Sequence, residues 1–183
     1  MFSIILGLSL SQALGGIAGL VRGSNKVRTY APHTIWLTMI VLTHFLMWWS
    51  IWDFREVEWN YAKFIVASIQ PMMLFFLSAI ILPPASNSSD IDLDVHFFRI
   101  RPWLLSTYAV TMVIFIVDGP LVFASENLWN GFRIPQITSL AATMCGLLTR
   151  KLSYQTVIAL IVLGVVLSGS FFRFLPGAFV VSS

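Results

Sequence analysis

Six apolar runs of roughly twenty residues, nearly free of charge, constrain this chain more than any other feature. They cover about 2–21, 33–52, 61–82, 102–123, 132–149 and 154–172. At ~1.5 Å per residue each is long enough to cross the hydrocarbon core of a bilayer as a helix. In lipid a spanning backbone must satisfy its own hydrogen bonds, which an α-helix does within one segment. The expectation is an all-α bundle of six transmembrane helices, one domain over residues 1–183. Charged residues make up 10% of the chain, against about 25% in soluble domains. No stretch between the runs is long enough to hold a soluble domain.

Orientation follows from the lysines and arginines. The first run has no basic residue before it and Arg22, Lys26 and Arg28 after it. That is the reverse of a cleaved signal peptide and predicts an N-terminus outside. The connections on the inner side then hold Arg22, Lys26, Arg28, Arg99, Arg101, Arg150 and Lys151. The outer side holds Arg55, Lys63, Arg133 and Arg173. The bias puts both termini outside. Because the basic residues sit in these short connections, the net charge of +3 sets topology and does not indicate nucleic acid. The single cysteine, Cys145, lies in an apolar run and reads as a buried free thiol.

Polar side chains inside the runs are the candidate functional groups. Gln12 and His44 fall near mid-membrane, His44 within ~3 Å of the midplane. Gln70 lies slightly further out, and Asp118 and Gln136 ~7 Å outward from the middle of their runs. Polar groups in hydrocarbon need partners or water. These five therefore suggest a cavity reaching from the outer face to mid-membrane. Each also has a simpler reading. The glutamines can be interhelical glue, His44 a hydrogen-bonded core histidine, and Asp118 a cap where Gly119-Pro120 breaks the fourth run.

Two further patterns stand out. Gly7, Ser11, Gly15, Gly19 and Gly23 recur every fourth position on the first run, a small-xxx-small row that lets another helix approach closely. Packing against a sibling helix in the same chain is the first expectation, an oligomer seam the second. Trp48, Trp49, Trp52 and Trp59 gather toward the outer face and Trp103 at the inner boundary, as an aromatic belt requires.

Between the third and fourth runs, Asp90, Asp92 and Asp94 lack the glycine and distal glutamate of a calcium loop and read as a solvated, turn-forming acidic face. The stretch from His96 to Trp103 reads as a short interfacial segment before the fourth run. There is no P-loop, dinucleotide fingerprint, zinc motif or nucleophile elbow. No metal site and no cofactor is expected. His33 and His44 share one helix ~16 Å apart, and His96 is placed in a loop, so a haem held by two histidines is not expected.

Several of these residues carry a resemblance. Leu14-Gly-Gly-Ile-Ala-Gly-Leu20, His33-x-x-Trp36 and Phe45-x-x-Trp48-Trp49-x-x-Trp52 resemble a family of small uncharacterised bacterial polytopic inner-membrane proteins. Pro83 at the end of the third run and Phe97-Phe98-Arg99 with Trp103 fit the same pattern over about the first hundred residues. The resemblance implies a six-helix protein of the bacterial inner membrane and no catalytic role.

The leading functional expectation is a channel or transporter for a small solute or protons, carried by the mid-membrane polar set. The alternative is an accessory or scaffold subunit of a larger membrane complex, or a homo-oligomer, in which the glycine row is a docking face. A membrane-embedded enzyme or a lipid-binding protein is the weaker expectation. The two main readings separate on geometry: a conduit requires Gln12, His44, Gln70 and Asp118 to point inward and share a void.

Overall fold

The structure, a computed structural model, describes residues 2–23, 27–52, 55, 57–84, 91–122 and 133–174; the side chains of 118–121, 133 and 169–174 lie outside that description. The described residues form six helices: α1 (Phe2–Arg22), α2 (Ala31–Ser50), α3 (Tyr61–Ile81), α4 (Leu93–Val122), α5 (Arg133–Leu148) and α6 (Leu152–Phe174). Two-residue strands β1 (Val27–Arg28) and β2 (Ile91–Asp92) pair in parallel, with Val27 opposite Ile91 and Arg28 opposite Asp92. Among the described residues the regular structure is thus all helix apart from this clasp between two connections. Three helical stretches, Phe2–Arg22, Tyr61–Ile81 and Leu93–Val117, are long and apolar enough to cross a membrane. That fits a membrane protein.

Local chemistry accounts for the helix ends. α2 starts after Tyr30 with Pro32 in its first turn, where a missing N–H costs nothing. Asn60 caps α3, its side-chain oxygen accepting from the Lys63 amide at 2.9 Å. α3 stops because Leu82 precedes Pro83-Pro84. A residue before proline is pushed to extended backbone, and Leu82 has φ −79° and ψ 134°. Asp92 caps α4, accepting from the Asp94 amide at 3.0 Å.

α4 corrects the sequence reading in two places. It begins at Leu93, nine residues before the expected start at 102, so His96–Arg101 is helical and not a separate interfacial segment. Pro102 stands inside the helix. At its other end the helix continues through Asp118-Gly119-Pro120 to Val122, where a break had been weighed. The side chain of Asp118 lies outside the described residues.

α2, α3, α4, α5 and α6 close into a ring of neighbouring pairs, α2 contacting both α3 and α6. α1 packs mainly on α3 and also touches α2, so it stands outside the ring over the α2–α3 seam. The ring's middle is filled. Trp36 from α2 and Tyr108 from α4 are both buried and meet edge to face with centroids 5.0 Å apart. Ile40, Leu74, Leu104, Leu105 and Val162 pack around them. In lipid such contacts stabilise through close packing, because the acyl chains are as apolar as the side chains.

Candidate functional site: polar groups that join the helices

His44 is buried, and both its ring nitrogens are engaged. Nδ1 donates to the Ile40 carbonyl one turn earlier at 2.7 Å, and Nε2 accepts from the Ser9 hydroxyl of α1 at 2.6 Å. The imidazole therefore faces α1 and ties the outer helix to α2. For a neutral ring these bonds place the proton on Nδ1. Ser9 carries no obvious sequence signal, since one serine in an apolar run is common; it is recognisable only once His44 is known to face α1.

The other expected cavity residues are distributed differently. Gln70 on α3 is buried and partnered. α2 and α3 run antiparallel, and the contact of His33 with Ile81 sets a register in which His44 and Gln70 sit at the same level. Gln12 on α1 is half-buried, and its carbonyl oxygen is shielded without a hydrogen-bond partner. Gln136 on α5 is half-buried. Hydroxyls along the runs turn back on their own helices: Thr38, Thr43, Thr111 and Thr143 each donate to a carbonyl four residues earlier.

Two helix ends carry polar clusters that the sequence reading did not assemble. The last carbonyl of α3, at Ile81, has no amide to accept from in Pro83-Pro84. His33 of α2 and His96 of α4 supply donors instead, their Nε2 atoms 2.8 and 3.1 Å from that oxygen. A carbonyl has two lone pairs, so both bonds form at once. The two rings lie edge to face, centroids 5.9 Å apart. His96 is therefore a helical residue beside His33, which corrects the expectation of a loop. With both Nε2 atoms donating to one carbonyl, those two nitrogens are not free to ligate a metal in this arrangement. Among the described residues, no three His, Cys, Asp or Glu side chains come together to hold a metal ion.

The second cluster ends α5. Arg101 of α4 donates through one guanidinium nitrogen to the carbonyls of Gly146, at 3.1 Å, and Thr149. Gln155 of α6 donates to the same two oxygens at 2.9 and 2.6 Å. A cation there also meets the negative end of the α5 dipole. Both clusters lie at the end of the bundle that carries Arg22, Arg28, Arg99, Arg150 and Lys151. There Arg28 reaches Asp92 at 3.5 Å across the β1–β2 clasp, an exposed pair that contributes little. Nearby Tyr30 packs on Phe97 and Phe98 at 5.4 and 5.9 Å. Burial, helped by the Asp94 carboxylate, pushes its phenol up to about 12.

No family model, curated protein or solved structure matches the chain.

Among the described residues, nothing packs closely on Gly7, Gly15 or Gly19 of the glycine row. Ser11, Gly15 and Gly19 are exposed, and a Cβ added at Gly7, Gly15 or Gly19 would meet nothing within 4 Å. The close approach is made one residue away, where a Cβ on Gly16 would overlap the Leu82 side chain. The reason is rotational: α1 turns Leu6, Ser9, Ala13 and Gly16 toward α3 and α2, which leaves the row on the opposite side. Trp48, Trp49, Trp52, Trp59 and Trp103 all point outward. Cys145 is exposed on α5, which corrects the expectation of a buried thiol.

Proposed function

We propose that this protein is a small polytopic membrane subunit with a structural role, an accessory or scaffold component of a larger assembly. The carrying observation is His44. The one ionisable side chain near mid-membrane in the first three runs is oriented by Ser9 and Ile40 toward a neighbouring helix, not into a void. The Trp36–Tyr108 contact across the ring supports the same reading. In this reading all six apolar runs span the membrane with both termini outside. The basic residues at the α1–α2, α3–α4 and α5–α6 end face the interior. The resemblance of its first hundred residues to small bacterial inner-membrane proteins supports that membrane as its location.

α1 is then the element that meets a partner, since it stands outside the ring with Gly7, Gly15 and Gly19 open. The test is mass in a gentle detergent, with two variants. The wild-type protein should run heavier than its own 20.5 kDa after the detergent is subtracted. Gly15→Leu should keep its helical signal and thermal midpoint but fall to the monomer mass. Gly16→Leu should instead lose stability, because the larger side chain displaces Leu82 and the end of α3. A wild-type monomer, or a Gly15→Leu protein as heavy as wild type, would remove the docking role.

A transport reading keeps one specific observation in its favour. His33 Nδ1, Trp36 Nε1 and Ser78 Oγ are buried without partners on facing turns of α2 and α3. Such groups are satisfied by water, so a hydrated path from the basic end would pass them first. Proteoliposome flux that depends on Ser78 and Trp36 would support that reading over the structural one.

A further inference from the structure

We propose that the seam between α4 and α5 binds one anionic glycerophospholipid, its phosphate at the basic end of the bundle and an acyl chain along the seam. This goes beyond the structural role and does not depend on it; it requires only that the helices lie in a bilayer.

The two halves of the site are separate observations. Between α4 and α5 runs an open groove of about 390 Å³, lined by Ala109, Val110, Val113, Ile114, Leu140 and Met144. No polar side chain contributes to it, which suits hydrocarbon. Below it, toward the α5 C-terminus, stands a cluster of cations. Arg101 is held against the Gly146 and Thr149 carbonyls, and Thr149 is followed directly by Arg150 and Lys151, both exposed. Trp103, two residues after Arg101, is 72% exposed, as a headgroup-level anchor is. No acidic residue occurs in 95–117 or in 134–168, so nothing in these stretches of α4, α5 or α6 neutralises the cluster. Charge complementarity selects an anionic headgroup over a zwitterionic one.

The spacing is that of one leaflet. Ala109 and Ile114 lie eight and thirteen residues beyond Arg101, or ~12 and ~20 Å along the helix. Half of a ~30 Å hydrocarbon core is ~15 Å. A phosphate at Arg150 and Lys151 therefore places acyl carbons, not glycerol, at the level of the groove. Leu148, 89% exposed, covers the interval between them with an apolar side chain.

Native mass spectrometry of the detergent-purified protein tests this, with phosphatidylglycerol and phosphatidylcholine of identical acyl chains as probes. The wild type should retain one phosphatidylglycerol about tenfold more strongly than phosphatidylcholine. The double variant Arg150→Gln/Lys151→Gln should bring the two lipids to similar retention. Val113→Trp, which fills the groove and leaves the cations in place, should weaken retention of both; Val110→Phe serves if that variant fails to fold. Arg55→Gln, at the other end of the bundle, should change neither. Equal retention of the two lipids by the wild type would overturn the proposal. So would an Arg55→Gln loss as large as that of the double variant, which would mean a diffuse charge effect. Unchanged phosphatidylglycerol retention in both folded groove variants would overturn it too, leaving a headgroup patch without an acyl site.

Discussion

At the scale of single residues, the polar groups of this chain act mostly as connectors. His44 joins α2 to Ser9 of α1, and Arg101 and Gln155 converge on the end of α5. Tyr30 is not one of these connectors, because its buried hydroxyl has no hydrogen-bond partner. An unfolded tyrosine ionises near 10.0, whereas Tyr30 is held up to about 12. Between those values the unfolded chain has released a proton that the folded one keeps, so stability falls as pH rises through that window. It is fully present below 10. Tyr30→Phe should match wild type in denaturant midpoint at pH 8 and lose less of it at pH 11. Parallel losses in the two proteins would contradict the assignment. Depth along a run was legible in the sequence, since counting residues gives it directly. Which way a side chain faces was not, because that depends on how each helix is rotated against neighbours chosen by the whole bundle. Hence His44 was recognised as a key residue while its partner Ser9 was not.

At the scale of elements, punctuation was legible where it is chemical. Pro83-Pro84 ends α3, as the residues themselves require, whereas the Asn60 cap at its start emerges only in the structure. Pro102 misled, because proline is common in a first helical turn and here lies well inside α4. The pairing of His33 with His96 spans 63 positions of sequence and follows only from α2 and α4 flanking α3. One signal did point to it: two prolines in succession leave a buried carbonyl that some donor must satisfy. The cap should therefore be measurable. His33→Ala removes one of two donors and opens a small void, with an expected cost of about 1–3 kcal/mol. His96→Ala should cost less, since its bond is longer and His33 still donates. A thermal or denaturant series should also show the double variant losing more than the sum of the singles, because only then is the carbonyl left bare. Simple additivity would mean that the two histidines act independently.

At the scale of the molecule, a closed ring of five helices with α1 outside it accounts for both the filled centre and the open glycine face. The composition foretold an all-helical protein because so few charges leave little else to build. It did not foretell the ring, since helix order around a bundle is set by packing that no single run encodes. The orientation proposed from the basic residues has a direct check. Thr29→Cys and Tyr61→Cys, made singly in a Cys145→Ala background, should differ toward an impermeant thiol reagent on intact cells. Position 61 should label and position 29 should not; the opposite pattern reverses the topology. The central claim, that the histidines are interhelical connectors and not the lining of a hydrated path, is tested most directly by nitrogen NMR of ¹⁵N-histidine-labelled protein in bilayers. The bonds described here require His44 to carry its proton on Nδ1, and His33 and His96 to carry theirs on Nε2. Single-histidine substitutions assign the signals. Three fixed tautomers in that arrangement are the predicted result, and a His44 signal averaged between tautomers by exchange with water would contradict it.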